Sequence, residues 1–283
     1  MVIIADKQGQ LANRLFLLRA FIANALEYQY TLIYTNFDEY LPYFEGPASQ
    51  GFPRYRIRAQ LGYPTSLNNY LQRIILNPDY FPIKVLRKLN RLEYFSHYVY
   101  EVDNTGFDLG APEFVKKAQT KIMIIRGWPF SDKKSQKKHV LLIKKFFTPL
   151  PVYRQNIARL MKKIRLEVDI VIGIHIRRGD YAKFENGRYF YGFDVYAQKA
   201  IELAQQFKEK KVGFLLCSND PIDTPAFAGL RTFFGTGHFI EDLYALAECD
   251  YLIGPPSTFS AWASFYGDVP LQHIRDAQTV IAF

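Results

Sequence analysis

The chain has 283 residues, 49% of them hydrophobic, which suits one large α/β domain or two of about half that size. It carries 36 Lys+Arg against 27 Asp+Glu; such an excess attracts anionic partners, but no nucleic-acid fold signature accompanies it, which sets nucleic acid aside. No apolar run approaches about 18 residues, so no transmembrane helix is expected, and the start lacks the basic and long apolar regions of a signal peptide.

In chain order, Val2–Ala5 reads as a first strand, Ala12–Tyr28 as a helix and Thr31–Tyr34 as a second strand. Gly9-Gln10-Leu11-Ala12-Asn13-Arg14 lies between strand and helix. A small-residue turn at a helix N-terminus can approach a ligand, although alone it reads as a simple turn. An aromatic, proline-containing region extends from Leu41 to Phe107, and Asn77-Pro78-Asp79-Tyr80-Phe81-Pro82 breaks any long helix there. Lys121–Arg126 is a further strand. The 20 Tyr and 24 Phe suit sugar stacking, but most such rings serve packing.

Charge is unevenly spread. Residues 1–150 hold 21 basic and 12 acidic residues, a balance of +9, whereas residues 151–283 hold 15 of each. The densest stretch, Lys116–Lys145, includes Lys133, Lys134, Lys137 and Lys138. Such a cluster draws anionic lipid or an anionic acceptor; a solvated basic face is the simpler reading. Thr148-Pro149-Leu150-Pro151 reads as a linker, giving two α/β halves, 1–150 and 151–283. A single sheet with a large insertion is the alternative.

The second half is more regular. Strands are expected near 170–176, 212–217, 250–254 and 269–274, with helices near 194–210, 241–249 and 258–266. This alternation indicates βαβ units and a parallel sheet. Asp194 near one helix start and Lys208, Lys210 and Lys211 near its end complement the helix dipole. Cys217 and Cys249 lie at the edges of apolar runs without CxxC or Cys/His spacing. They read as buried thiols of a reducing, cytoplasmic compartment, with no zinc site.

The most informative stretch is Gly173-Ile174-His175-Ile176-Arg177-Arg178-Gly179-Asp180-Tyr181. An apolar strand runs straight into two arginines, a glycine and an aspartate. Ligands of open α/β sheets bind beyond the carboxyl ends of such strands. Guanidinium groups there suit phosphate, which they bind bidentately. Gly179 allows a turn, and Asp180 can hold an arginine or cap the next stretch of backbone. A structural salt-bridged loop is the plainer reading. Cys217-Ser218-Asn219-Asp220 ends another strand; it is an ordinary Asx turn or a carboxylate placed for a base or hydroxyl. Pro255-Pro256-Ser257-Thr258-Phe259-Ser260 precedes an apolar helix that Ser257 and Thr258 can cap, and the same groups can bind a pyrophosphate. Glu241-Asp242 can cap the helix running to Cys249. Neither G-x-G-x-x-G nor a P-loop is present.

Taken in order, Gly9-Gln10-Leu11-x-Asn13, His175-x-Arg177-Arg178-Gly179-Asp180-Tyr181, Ser218-Asn219-Asp220, Asp242-Leu243-Tyr244 and Ser257-Thr258-Phe259-Ser260 before Trp262 resemble the GDP-fucose-dependent fucosyltransferases. The likeness is nearest to the α-1,2-fucosyltransferase-like group, glycosyltransferase family 11. Two segments depart from it. Asn13-Arg14 stands where the family has Asn-Gln, and Ser257-Thr258-Phe259-Ser260 is similar to the protein O-fucosyltransferase version.

The resemblance implies a GT-B-like α/β fold: two Rossmann-like halves with parallel sheets and an inter-domain cleft. Residues 1–150 would take the acceptor and residues 151–283 the GDP-sugar. It implies an inverting transfer of L-fucose from GDP-β-L-fucose to a glycan hydroxyl, galactose O2, without a metal or other cofactor. Arg177 would be the catalytic group at the diphosphate. Asn13, His175, Arg178, Asp220, Ser257, Thr258 and Phe259 would bind the donor, with Gly179, Asp180 and Asp242 in support. The expected partners are GDP-fucose and a glycan acceptor. The expected location is cytoplasmic, with peripheral attachment to anionic membrane through the four lysines. The alternatives are a transferase for another nucleotide sugar and a non-catalytic GDP- or carbohydrate-binding protein on the same fold.

Overall fold

A computed structural model of the chain describes residues 1–5, 7–35, 37–48, 57–58, 95–99 and 106–283. The helix break expected at Asn77–Pro82 lies outside the described residues. The chain divides into two compact units, Met1–Pro149 and Leu150–Phe283.

The N-terminal unit holds a five-stranded parallel sheet. Its strands are β1 (Val2–Ile4), β2 (Leu32–Tyr34), β3 (Ile57–Arg58), β4 (Phe95–Val99) and β6 (Ile122–Arg126), in the order β3-β2-β1-β6-β4. β5 (Phe107–Asp108) and β7 (Phe130–Ser131) form a separate parallel pair. All of β1 and β2 is buried, as near-continuous apolar runs in parallel sheets require. Helix α1 (Leu11–Tyr28) buries Leu15, Leu18, Phe21 and Ile22. α2 (Pro112–Thr120), α3 (Lys133–Lys138) and α4 (Val140–Phe146) come next along the chain.

Much of the aromatic content is core here. Phe37, Phe44, Phe146 and Phe147 are fully buried. Phe147 meets Phe44, Phe37 and Phe146 edge-on, with ring centroids 5.7, 6.0 and 5.0 Å apart. Each ring contributes about 1.5–3 kcal/mol through burial alone. A polar network is also buried in this unit: Asn24 donates to Leu109 O and Asp132 Oδ2 and accepts from the Tyr30 hydroxyl.

The C-terminal unit opens with α5 (Pro151–Arg165), so Pro151, expected in a linker, occupies the first turn of a helix, where its missing N–H costs nothing. Its sheet contains β8 (Ile170–Ile176), β9 (Val212–Ser218), β10 (Thr232–Phe234), β11 (Tyr251–Gly254) and β12 (Leu271–His273). All are parallel, in the order β10-β9-β8-β11-β12. α6 (Phe193–Gln206), α7 (Phe239–Leu246) and α8 (Thr258–Gly267) connect them. The strand order reverses at β8, with β9 on one side and β11 on the other. That reversal is the topological switch point at which such sheets bind ligands.

Two helix boundaries differ from the sequence reading. α6 ends at Gln206 rather than near 210, because Phe207 turns inward and stacks on Tyr251 with centroids 5.3 Å apart. Lys208, Lys210 and Lys211 therefore lie beyond the helix. α7 starts at Phe239 and is capped by His238, whose Nδ1 accepts from Ile240 N at 3.3 Å. Glu241 and Asp242 sit inside its first turn instead of capping it.

Candidate active site

The polar motifs of the second unit converge because each stands at a carboxyl end of that sheet. β8 delivers His175 through Asp180, β9 delivers Ser218–Asp220, and β11 delivers Gly254–Ser257. The chains after β8 and β11 run very close together. A Cβ on Gly254 would lie 2.6 Å from the His175 carbonyl oxygen, so only glycine fits.

His175 is buried and lies flat against Phe259, with centroids 4.9 Å apart and planes inclined by 30°. Burial, then Arg177 and His273 nearby, lowers its pKa to about 3. The ring is neutral at physiological pH, and its Nδ1 has no hydrogen-bond partner among the described residues. Arg177 donates from Nη2 to Asp180 Oδ2 at 2.8 Å, and its guanidinium lies 5.6 Å from the Tyr181 ring centre. Tyr181 donates its hydroxyl to Pro256 O at 2.6 Å. This ties the arginine loop to the turn entering α8.

The end of β9 shapes the arginine loop. Asn219 Oδ1 accepts from Arg178 N, and Asp220 Oδ2 accepts from Gly179 N, both at 3.0 Å. Gly179 takes the left-handed conformation, φ +51°, which disfavours a side chain. Arg178 turns away to donate to Tyr191 O at 2.8 Å. Its guanidinium carbon lies 4.6 Å from the ring centres of both Phe190 and Phe193.

Across the switch point, Ser257 caps α8, its Oγ accepting from Phe259 N at 3.2 Å. Thr258 and Phe259 begin the helix, whose first N–H groups and dipole favour an anion. Asp242, buried in α7, accepts from Gly237 N at 3.3 Å and so fixes the loop after β10. Burial raises its carboxyl pKa. Asn13 is placed in the other unit, half-buried in the first turn of α1 with its amide over Gly9.

Sequence reading gave no separate role to Asn219, which holds the arginine loop, or to His273. The latter ends β12 in register with Gly254. Burial is the main cause of its lowered pKa. The signal for His273 was its position at the end of an expected strand.

Residues 136–271, just under half of the chain, match the model of Glycosyl transferase family 11. That segment is similar to the glycosyltransferases of family 11. It runs from α3 through β12 and contains every C-terminal motif described above. In fold the chain is similar to solved fucosyltransferases. A mutant of Arabidopsis thaliana FUT1 in complex with GDP superposes with TM-score 0.62 at 16% identity, covering 96% of this chain and 70% of that one. POFUT1 in complex with GDP-fucose gives TM-score 0.58 at 11% identity over 96% of both chains. NodZ from Bradyrhizobium gives 0.53 at 17%, covering 93% of this chain and 90% of that one. No curated protein sequence matches the chain. Two units, each on a parallel Rossmann-like sheet, make the chain GT-B-like in architecture.

Proposed function

We propose that this protein is a family 11 glycosyltransferase that moves L-fucose from GDP-β-L-fucose to a glycan hydroxyl, with inversion, and that galactose O2 is the acceptor atom. The observation that carries the donor reading is the switch point itself. There a guanidinium anchored by a carboxylate, Arg177 on Asp180, shares a sheet edge with the capped N-terminus of α8. Both features favour the negative charge of a diphosphate. The solved fucosyltransferases of the same fold include proteins in complex with GDP and GDP-fucose.

In the reaction the acceptor oxygen forms a bond to the anomeric carbon as the bond from that carbon to the β-phosphate oxygen breaks. The bonding pair leaves with GDP, and the acceptor proton passes to a base. Positive charge grows on the sugar and negative charge on the diphosphate. Arg177 stabilises the latter, as do the first N–H groups of α8. This division of labour needs no metal or other cofactor. His175, neutral and stacked on Phe259, supplies a ring edge that contacts the nucleotide without adding charge. Asp180, Asn219 and Asp220 hold the loop, and Arg178 braces it from behind.

Donor choice is tested by incubating the enzyme with GDP-fucose, GDP-mannose, UDP-galactose and UDP-glucose separately and measuring nucleoside diphosphate release. Release from GDP-fucose above the others supports the reading. Preference for a UDP-sugar overturns it.

A further inference from the structure

The lysine-rich segment plays no part in the donor reading, and its structure points to a different use. Residues 133–145 contain six lysines, no arginine and no acidic residue. They form α3 and α4, separated only by His139. Lys133, Lys134, Lys137, Lys138 and Lys145 are exposed, whereas Ser135, Ile143 and Phe146 face the core. Lys133 and Lys137 share a face of α3, and Leu141 and Lys145 share a face of α4. Leu141 is 79% exposed. The result is a basic ridge carrying a bare apolar side chain.

Among the described residues, nearby carboxylates leave most of this charge in place. Asp132 is buried at the start of α3, where Oδ1 accepts from Ser135 N and Oδ2 from Asn24. Glu27 pairs with Lys138 and His139, each at 2.8 Å. These bonds fasten the segment to the C-terminal half of α1. The α3 end of the ridge therefore lies toward the amino ends of this unit's strands, whereas α4 ends at Phe146, which packs on Tyr34 at the carboxyl end of β2.

We propose that this ridge docks the protein on an anionic phospholipid surface. Lysine is a compact point charge suited to the diffuse negative field of a bilayer, while guanidinium forks suit discrete nucleic-acid contacts. A bilayer also gives Leu141 an apolar depth to enter, which a nucleic-acid backbone does not. The proposal is independent of which sugar nucleotide the second unit takes.

The test is co-sedimentation of the full chain with vesicles of phosphatidylcholine alone and with about a third phosphatidylglycerol, at low and high salt. Expected is binding to the anionic vesicles only, lost at high salt. Replacing Lys133, Lys134, Lys137 and Lys138 together by Gln should weaken it by on the order of 10³-fold, and Leu141→Ser by several-fold. The thermal unfolding of both variants should match that of the wild type, which separates loss of docking from loss of fold. Equal binding to neutral vesicles, no binding at all, or undiminished binding by the quadruple variant overturns the proposal. So does binding of a random-sequence RNA or duplex oligonucleotide with no affinity for anionic vesicles.

Discussion

His175 and Phe259 stack across the switch point of the C-terminal sheet, with ring centroids 4.9 Å apart. One ends β8 and the other opens α8, so this contact sets the distance between the arginine loop and the capped helix. Phe259→Ala removes the stack and loosens both partners. An aromatic pair contributes about 0.5–1.5 kcal/mol beyond its burial, so GDP affinity should fall by roughly tenfold. Phe259→Tyr should retain most of it. Isothermal titration with GDP checks both.

The two arginines of the motif should separate cleanly. Arg177→Ala removes a charge aimed at the leaving diphosphate, worth about 3 kcal/mol or on the order of 10²-fold in transfer rate. Its melting temperature should stay close to that of the wild type. Arg177→Lys should also be poor, because a point charge lacks the bidentate fork. Arg178→Ala instead removes the bond to Tyr191 O and the contacts with Phe190 and Phe193. It should cost about 1–3 kcal/mol of stability. Rate assays paired with thermal melts decide this, and a stable, inactive Arg178→Ala variant would exchange the two roles.

Gly254→Ala should be among the most damaging small substitutions. Its methyl group would meet the His175 backbone oxygen at 2.6 Å, and a backbone atom in a β-sheet yields little. Overpacking of this kind costs about 1–3 kcal/mol. Denaturant unfolding should show that loss together with weakened GDP binding.

Acid should weaken the fold through His175. Its pKa falls from 6.5 to about 3 on folding, chiefly through burial. Between those values the unfolded chain binds a proton that the folded chain does not. The contribution is therefore complete above the unfolded pKa and is lost as pH falls, by at most about 1.4 kcal/mol per pH unit. His175→Phe keeps a ring against Phe259 and removes the titration. Stability measured from about pH 6 to about pH 4 should fall less steeply in that variant; an unchanged slope would assign the acid loss to other groups.

How far the sequence revealed this site depends on where its residues stand. β8 was readable because Ile170–Ile176 is a continuous apolar run that stops at Arg177, and β11 because an apolar run stops at Gly254-Pro255. Both mark buried parallel strands, and their carboxyl ends locate the site before any coordinates do. α3 and α4 were not foreseen, because short lysine-rich helices draw their stability from packing; α2 and α5 were missed although Phe114 and Ala118, and Ile157, Met161 and Ile164, recur at helical spacing. β10 is short and half-exposed, so it offers neither an apolar run nor a clear alternation. Adjacent arginines look alike in sequence, and only the position of Phe190 and Phe193 turns one of them away.

If Arg177 and the N-terminus of α8 supply the charge that neutralises the leaving diphosphate, transfer should survive excess EDTA. Abolition by the chelator, restored by magnesium or manganese, would transfer that role to a metal.

The most direct measurement is mass spectrometry of a galactose-terminated glycan array incubated with the enzyme and GDP-fucose. The account predicts one added deoxyhexose on the product, GDP released in equal amount, linkage to galactose O2, and a loss on the order of 10²-fold with Arg177→Ala. GDP bound with no transfer to any glycan, or transfer from another nucleotide sugar alone, would contradict it.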